Sequence, residues 1–384
     1  MILQNVNIIG RESPQHIRIS AGKIETITSN EALLPANKDE EKVMFRDALA
    51  FPGLINSHDH LEYNLFPQLG NRIYKSYLDW GADIHSENKN IIETISKIPK
   101  QLRAEWGVYK NLLNGITTVV QHGEYFNIEN PLINIFQDCY SLHSVRLEKN
   151  WKLKLNKPFA KDQPFVIHIG EGKDENAFEE INELIQWNLF KRKLVVVHGV
   201  SMNEEQARSF EALVWCPDSN YFLLNETAKV DELKKQTKIL FGTDSTVSAG
   251  WNVWDQLRLA RKTKMLTDQE LYDSLTVSPA GIWKLNGRGS LEEGKIADIV
   301  VARIKDPKNL MDSFFQLNPA DILMVISNGE IVLIDATLYS QLELKGLNKL
   351  LINGIAKYVK GNLAGLASEI YKYTAGVKLP IEVK

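Results

Sequence analysis

The segment Phe51-Pro52-Gly53-Leu54-Ile55-Asn56-Ser57-His58-Asp59-His60 joins a short apolar run to three polar residues. The apolar run predicts a buried strand over residues 51–57, and the polar residues follow at its carboxyl end. His58 and His60 are two positions apart, so on extended backbone their side chains project to the same side and can hold one cation. This segment therefore predicts a strand that ends in a metal site.

Six further apolar runs of strand length follow, and longer amphipathic segments separate them. This alternation is typical of repeated βα units built around a parallel sheet. We predict these strands at residues 116–121, 140–145, 165–169, 194–197, 213–216 and 239–241. We predict helices at residues 175–189, 204–210, 253–262 and 268–275.

The fold class that this pattern predicts is α/β, with a (β/α)8 TIM-like barrel. The barrel is expected to be irregular or short between strands 2 and 5, because seven strands are found where eight are needed. The deficit lies between residues 124 and 162, where residues 151–155 form only a poor strand candidate.

Short β-type patterns occur at both ends of the chain. Residues 1–46 alternate as short antiparallel strands, and similar runs return at 297–302 and on either side of Asn328-Gly329. An Asn-Gly pair between two β-branched runs predicts a tight hairpin. We therefore predict a small composite β-sandwich domain of residues 1–48 and 287–335, with the barrel at 49–286.

Residues 336–384 are predicted to form a C-terminal helical extension. Apolar residues recur there at helical spacing, at Leu347, Leu350, Leu351, Ile355 and Tyr358. The expected role of this element is packing or oligomerisation, and the sequence leaves a homodimer open.

The composition is that of an ordinary globular protein. Of 384 residues, 44% are hydrophobic and 24% are charged, and the net charge is −3. No overall basic field is available to hold nucleic acid or an anionic membrane, and no apolar run reaches the ~18 residues of a membrane span. The N-terminus lacks the pattern of a secretory leader, so we expect a cytoplasmic protein that acts on a small-molecule substrate.

Because Cys139 and Cys216 are the only cysteines and have no CxxC spacing, a metal site must use histidine and carboxylate ligands.

Polar residues also follow three later strands of the predicted barrel. His168 lies at the end of the strand at 165–169, His198 follows 194–197, and Asp244 follows 239–241. The carboxyl ends of parallel barrel strands meet on one face, so residues remote in sequence can share one pocket. This ordered series predicts a common site more strongly than any one of its members.

Several motifs along the chain are similar to those of one family. They are residues 52–61 (PGLINSHDHL), 114–120 (NGITTVV), 168–171 (HIGE), 197–200 (VHGV), 216–220 (CPDSN), 241–245 (FGTDS), 278–280 (SPA) and 289–301 (GSLEEGKIADIVV). Together they resemble the amidohydrolase superfamily, in the mononuclear deaminase and chlorohydrolase branch that includes cytosine, guanine and S-adenosylhomocysteine deaminases.

The resemblance implies a set of ligands and a set of catalytic groups. One divalent metal ion would be held by His58, His60, His168 and Asp244, with Zn²⁺ favoured and Fe²⁺ also used in the family. Glu171, His198 and Asp244 would be the catalytic residues.

The implied reaction is hydrolysis of a non-peptide C–N bond, in which a metal-activated water deaminates a small heterocyclic amine. Asp244 would receive the proton of the water, and His198 would hold the resulting hydroxide and stabilise the developing negative charge. Glu171 would protonate a ring nitrogen and later pass a proton to the departing amine. The products would be ammonia and a carbonyl compound.

Three alternatives stay open at this point. A binuclear amidohydrolase needs a carbamylated lysine at the end of the fourth strand, where Lys149 and Lys152 lie near the right position. A mononuclear site could instead displace chloride or cleave an amide. A chain of another class could have kept the fold as a non-catalytic metal-binding scaffold.

Candidate substrate contacts lie in the loops between the strands. Trp80 belongs to an aromatic segment at 65–86 that is suited to stacking on a planar ring. Arg146 follows a predicted strand and could pair with a carboxylate or phosphate. His122 and Asn220 also follow predicted strands, and we expect them to line the same pocket.

Overall fold

The computed structural model describes residues 1–34, 40–158, 163–342, 344–374 and 376–383. Its strands are β1 (Ile2–Ile8), β2 (Gln15–Ser20), β3 (Lys23–Thr28), β4 (Lys42–Pro52), β5 (Leu54–Asp59), β6 (Ile116–Gln121), β7 (Asn134–Phe136), β8 (Tyr140–Ser144), β9 (Phe165–Ile169), β10 (Leu194–His198), β11 (Ala212–Trp215), β12 (Lys238–Phe241), β13 (Ile299–Arg303), β14 (Ile322–Ser327), β15 (Glu330–Asp335), β16 (Leu347–Ile352), β17 (Ile355–Lys360) and β18 (Glu382–Val383).

Its helices are α1 (Tyr77–Glu87), α2 (Lys89–Ser96), α3 (Lys100–Leu113), α4 (Trp151–Leu155), α5 (Glu175–Trp187), α6 (Glu204–Ala207), α7 (Pro217–Leu224), α8 (Val230–Leu233), α9 (Val253–Thr263), α10 (Asp268–Asp273), α11 (Val277–Ile282), α12 (Leu310–Phe315), α13 (Ala336–Tyr339) and α14 (Leu363–Tyr373).

The strands β5 to β12 form two parallel sheets, in the orders β5-β6-β7 and β8-β9-β10-β11-β12. The last strand returns to the first, since the Asp244 N–H just after β12 donates to the His58 carbonyl in β5 at 3.1 Å. The α/β architecture expected from the sequence is present. It brings the carboxyl ends of β5 and β12 together.

Both faces of the five-stranded sheet are buried, as the continuous apolar runs require. In β9, Phe165, Ile167 and Ile169 pack into the larger core, whereas Val166 packs into a separate core with Val195 of β10. Because side chains alternate along a strand, His168 shares the face of Val166.

Two expectations for the region between residues 124 and 162 need correction. The structure has a further strand there, β7, which is three residues long and only half-buried, and therefore gives little hydrophobic signal. Residues 151–155, the poor strand candidate, form the helix α4, in which only Trp151 and Leu155 are buried.

The two ends of the chain join in one ten-stranded sheet, ordered β18-β16-β17-β15-β14-β13-β4-β1-β2-β3. The strand β4 from the N-terminal part pairs antiparallel with β13 from the C-terminal part. The hairpin expected at Asn328-Gly329 joins β14 to β15, and both turn residues have positive φ. Within the described residues these strands form a single sheet rather than two facing ones.

The prediction that residues 336–384 are helical is wrong for much of that segment. Residues 347–352 and 355–360 are the antiparallel strands β16 and β17, and helix begins again only at Leu363. The turn between the two strands is Asn353-Gly354, with φ of 50° and 79°. That Asn-Gly pair is the same hairpin signal as at residues 328–329, and it outweighs the helical spacing of the leucines.

Among the described residues, the helices are all too short or too polar to cross a lipid bilayer.

Candidate metal centre and active site

Three imidazole rings and one carboxylate converge where β5, β9 and β12 end. Nε2 of His168 lies 3.2 Å from Nε2 of His60 and 3.2 Å from Nε2 of His58. The Asp244 Oδ1 atom lies 3.9 Å from Nε2 of His58 and 4.0 Å from Nε2 of His60. The three histidines therefore face one another, and Asp244 lies within 4.0 Å of two of them.

Hydrogen bonds behind two of the rings fix which nitrogen carries a proton. His60 Nδ1 lies 2.9 Å from the His122 carbonyl, and His168 Nδ1 lies 2.8 Å from the His143 carbonyl. A carbonyl only accepts, so both Nδ1 atoms are protonated and both Nε2 atoms present lone pairs. Two lone pairs that face each other at 3.2 Å repel unless a cation lies between them.

The donor set fits a small divalent cation. In a tetrahedral zinc site the ligand atoms lie about 3.3 Å from one another, because Zn–N bonds are about 2.0–2.1 Å long. Burial lowers the pKa of His58 and of His168 well below the usual range, and neighbouring histidines lower both further. Both rings are thus neutral, which is the form that binds metal.

Asp244 is held as a carboxylate. Its Oδ2 atom accepts hydrogen bonds from Ser219 at 2.8 Å and from Ser248 at 3.0 Å, and the Ser245 N–H donates to Oδ1. Burial by itself raises the pKa of Asp244, but His60, His198 and these hydrogen bonds outweigh it and hold the pKa below its usual value. The carboxylate is therefore available both to a cation and to a proton.

The approach of β12 to β5 depends on a glycine. A Cβ atom on Gly242 would lie 2.7 Å from Val214 Cγ1 and 2.8 Å from His58 Cβ. Contacts that short are not tolerated in a packed interior. Glycine at this position lets the Asp244 backbone reach the histidines.

Glu171 and His198 lie side by side next to these four side chains. The Glu171 Oε2 atom is 3.5 Å from His198 Nε2, and both residues are buried. Burial raises the pKa of Glu171 well above its usual range, and the charges of Asp244 and Glu180 raise it further. Burial lowers the pKa of His198 to about 4. Both shifts favour the uncharged forms, a carboxylic acid beside a neutral imidazole.

A chain of hydrogen bonds orients His198. Trp215 Nε1 donates to the Thr227 hydroxyl at 2.6 Å, and that hydroxyl donates to Asn220 Oδ1 at 3.3 Å. Asn220 Nδ2 therefore faces His198 Nδ1, at 3.0 Å, and donates to it. The remaining proton of the ring is on Nε2, toward Glu171. Asn220 was predicted to touch substrate, and the structure gives it this contact to His198.

A segment after β5 covers the site. Its backbone N–H groups donate to two loops and a helix: Leu69 to the Val247 carbonyl, Tyr77 to that of Glu171, and Tyr74 to that of Leu223 in α7. The Lys173 N–H also donates to the Lys75 carbonyl. This cover explains why Glu171 is only 7% exposed.

The other predicted substrate contacts have partners of their own. Trp80 is half-buried and its Nε1 donates to the Leu69 carbonyl at 2.7 Å. The Arg146 guanidinium is ion-paired with Glu183 at 3.1 Å and lies 3.8 Å from Glu180. The His122 ring lies 4.3 Å, centre to centre, from the ring of His168. Contact of these residues with substrate stays a prediction.

The two lysines considered for a binuclear site, Lys149 and Lys152, do not lie in a buried position. Lys152 is ion-paired with Glu183 at 2.8 Å on the surface, and Lys149 is exposed in a loop. Neither side chain has the burial that a bridging ligand requires.

Sequence reasoning missed a polar network beneath the ligands. Asp59 and Lys110 form a fully buried ion pair of 3.0 Å, and Asn111 and Asn56 hydrogen-bond around it. An aspartate on a buried strand needs a partner of opposite charge, but α3 carries several charged residues, so the sequence did not single out Lys110.

Comparison with known proteins places these features in context. A profile described as the amidohydrolase family matches residues 154–332. A 5-methylthioadenosine/S-adenosylhomocysteine deaminase of Pyrococcus furiosus is 28% identical over 58% of this chain and 59% of its own length. The chain thus spans little more than half of that relative. An enzyme of the same name from Caldanaerobacter subterraneus is 22% identical over 87% of this chain and 93% of its own length.

The overall fold is shared with solved structures. An adenosine deaminase from Xanthomonas campestris with bound zinc superimposes with a TM-score of 0.74, over 97% of both chains and at 15% identity. That likeness concerns the fold alone.

Proposed function

We propose that this chain is a metal-dependent hydrolase of the amidohydrolase superfamily that removes an amino group from a small heterocyclic ring. The observation that carries the proposal is the buried pair of Glu171 and His198, 3.5 Å apart beside the four converging ligand side chains. Deamination needs a proton donor for the ring and a hydrogen bond to the attacking oxygen, and this pair offers both.

The ligand set would hold one divalent cation at His58, His60, His168 and Asp244, and zinc suits three imidazoles and a carboxylate. A cation bound there would polarise a water molecule so that it loses a proton near neutral pH. Asp244 is placed to take that proton, since its Oδ1 atom faces the histidine nitrogens. The choice of zinc over iron is part of the proposal.

The remaining steps belong to the two buried side chains. The Nε2–H of His198 donates a hydrogen bond to the attacking oxygen and stabilises the negative charge that develops on it. The protonated Glu171 delivers its proton to a ring nitrogen. The hydroxyl group added from water then gives its proton through Glu171 to the amino group, which leaves as ammonia, and the proton taken up by Asp244 restores the acid form of Glu171. Water thus replaces the amino group, and the ring keeps a carbonyl.

The substrate that fits best is neutral and planar. Arg146, the cation considered for an anionic substrate, is already paired with two glutamates of α5. The relatives named above act on adenine nucleosides, so 5-methylthioadenosine, S-adenosylhomocysteine and adenosine are the first compounds to test.

We also infer that β5 to β12 close into a (β/α)8 barrel. In support, β12 adjoins β5 through the Asp244–His58 backbone hydrogen bond, and the solved relative superimposes along nearly the whole chain.

The test is ammonia release by metal-free and zinc-restored protein, with adenine nucleosides, guanine, cytosine and a chlorotriazine as substrates. Zinc-dependent ammonia release from one of the amines supports deamination. Chloride release from the triazine without any ammonia release would identify a chlorohydrolase. Silence toward every compound at full zinc occupancy would favour the metal-binding scaffold.

A further inference from the structure

Two buried charges lie directly beneath the candidate ligands. Asp59 lies between His58 and His60 in sequence, at the end of β5, and Lys110 lies in α3. The Nζ atom of Lys110 is 3.0 Å from Asp59 Oδ2, and neither side chain is exposed to solvent. An ion pair in such a place loses its hydration, so it persists only when further hydrogen bonds compensate both charges.

The ammonium group of Lys110 joins two segments of the site. Besides Asp59, it donates to the Thr243 hydroxyl at 2.9 Å and to the Asp244 carbonyl at 3.3 Å. Thr243 and Asp244 follow β12, whereas Asp59 ends β5. One side chain from α3 therefore ties the segment that carries His58 and His60 to the residue that supplies the carboxylate ligand.

The carboxylate of Asp59 has donors on both oxygens. Asn64 Nδ2 donates to Oδ1 at 2.9 Å, and Asn111 Nδ2 donates to Oδ2 at 2.7 Å alongside Lys110. Because both oxygens already accept hydrogen bonds, we expect Asp59 to act on its neighbours rather than as a ligand.

We propose that Asp59 and Lys110 are positioning residues that set the spacing between the β5 histidines and Asp244, and so prepare the site for one cation. The inference rests on the proposed metal-dependent function. Supporting groups of this kind orient the ligand side chains, and their loss usually costs about 10–100-fold in metal affinity.

The chain offers a matched control for stability. Lys357 and Asp335 form a second buried pair of 3.2 Å in the ten-stranded sheet, with side chains 0% and 1% exposed. Lys357 Nζ also donates to a backbone carbonyl, that of Ile322. Lys110→Met and Lys357→Met therefore remove the same kind of charge from the same kind of surroundings, but only the first lies beside the site.

The experiment measures metal binding as well as folding. Metal-free wild type, Lys110→Met and Lys357→Met are titrated with Zn²⁺ against a chromophoric chelator, and their Co²⁺ forms are compared by visible absorption. Thermal unfolding of the metal-free proteins reports stability. We expect both variants to unfold at lower temperature, but only Lys110→Met to lose about 10–100-fold in zinc affinity and to change the cobalt spectrum.

Wild-type zinc affinity and cobalt spectrum in a folded Lys110→Met would overturn the proposal, as would an equal loss of affinity in Lys357→Met. If Lys110→Met does not fold, Asp59→Asn decides the question. The amide of Asp59→Asn has one N–H group where the carboxylate had an oxygen, and that group meets a donor, either Asn64 or the Lys110–Asn111 pair. The same loss of zinc affinity is therefore expected, and wild-type zinc binding would overturn the proposal. Failure of the wild type to bind zinc would instead contradict the proposed function.

Discussion

The Oε2 atom of Glu171 lies 3.5 Å from Nε2 of His198, and the two side chains are buried together. Burial pushes their pKa values in opposite directions, because it disfavours the charged form of each group. Burial thereby favours the acid form of Glu171 and the neutral form of His198. The carboxyl holds a proton that it can give, and the imidazole is neutral and can orient an oxygen.

Replacing Glu171 by glutamine should separate proton transfer from metal binding. Glu171→Gln keeps the shape of the side chain but has no acidic proton, so we expect turnover to fall by at least ~100-fold with zinc content unchanged. Steady-state kinetics and metal analysis of the same preparation measure both. Near-normal turnover would remove Glu171 from the mechanism.

The pH profile of turnover should follow the two shifted groups. Because the pKa of Glu171 is raised, its acid form persists through neutral pH, and turnover should fall as the pH rises through that pKa. On the acid side, His198 gains a proton on Nδ1 as the pH drops toward about 4, which breaks the hydrogen bond from Asn220 that orients the ring, so turnover should fall there too. The alkaline decline should be absent from the residual activity of Glu171→Gln. Wild-type turnover that keeps increasing with pH would contradict the assignment.

Asn220 should control the protonation of His198. Its amide donates to Nδ1, whereas the carboxylate of Asn220→Asp would accept a proton there and raise the pKa of the imidazole above about 4. In the neutral ring the proton would then lie on Nδ1 instead of Nε2, so turnover near pH 7 should fall by about 100-fold. Thr227→Val removes only the hydrogen bond that holds the Asn220 amide, so it should lose less turnover than Asn220→Asp. Near-normal turnover of Asn220→Asp at pH 7 would contradict the proposed orientation.

Glu180 should make the protein less stable as the pH rises. Its pKa is raised by burial to about 7, so between about pH 4.5 and 7 the folded chain holds a proton that the unfolded chain has lost. The free energy of unfolding should fall across this window. Glu180→Gln stays neutral, so above pH 7 it should unfold with up to about 3 kcal/mol more free energy than wild type. Urea unfolding at pH 5 and pH 8 measures the free energy of unfolding, and Glu183→Gln is the control at a more exposed glutamate. If the free energy of Glu180→Gln changes with pH as much as that of wild type, the prediction is wrong.

Local patterns predicted the elements that carry the ligands. Residues 116–121 and 165–169 are strands with the predicted bounds, because each is rich in β-branched residues and is buried along its whole length. The strand β7 escaped prediction because three half-buried residues carry no such run. The hairpin at Asn353-Gly354 was missed although its turn signal is local, since the leucine spacing around it resembles a helix.

Pairing across the site lay beyond sequence reasoning. Lys110 meets Asp59 and Thr243 only after the chain has folded, and residues 51 and 133 positions away have no signal in a local window. The support of His198 by Asn220 likewise depends on how the loops after β10 and β11 meet. Residue types at strand ends predicted which groups would come together, whereas the hydrogen bonds that orient them needed the structure.

The most direct test of a one-metal deaminase is a zinc titration of the metal-free protein, followed by ammonia release from its best amine substrate. The ligand set of three histidines and Asp244 predicts that the rate rises linearly and levels off at about one zinc per chain. A rise that continues to two equivalents, or ammonia release that does not depend on zinc, would contradict the account.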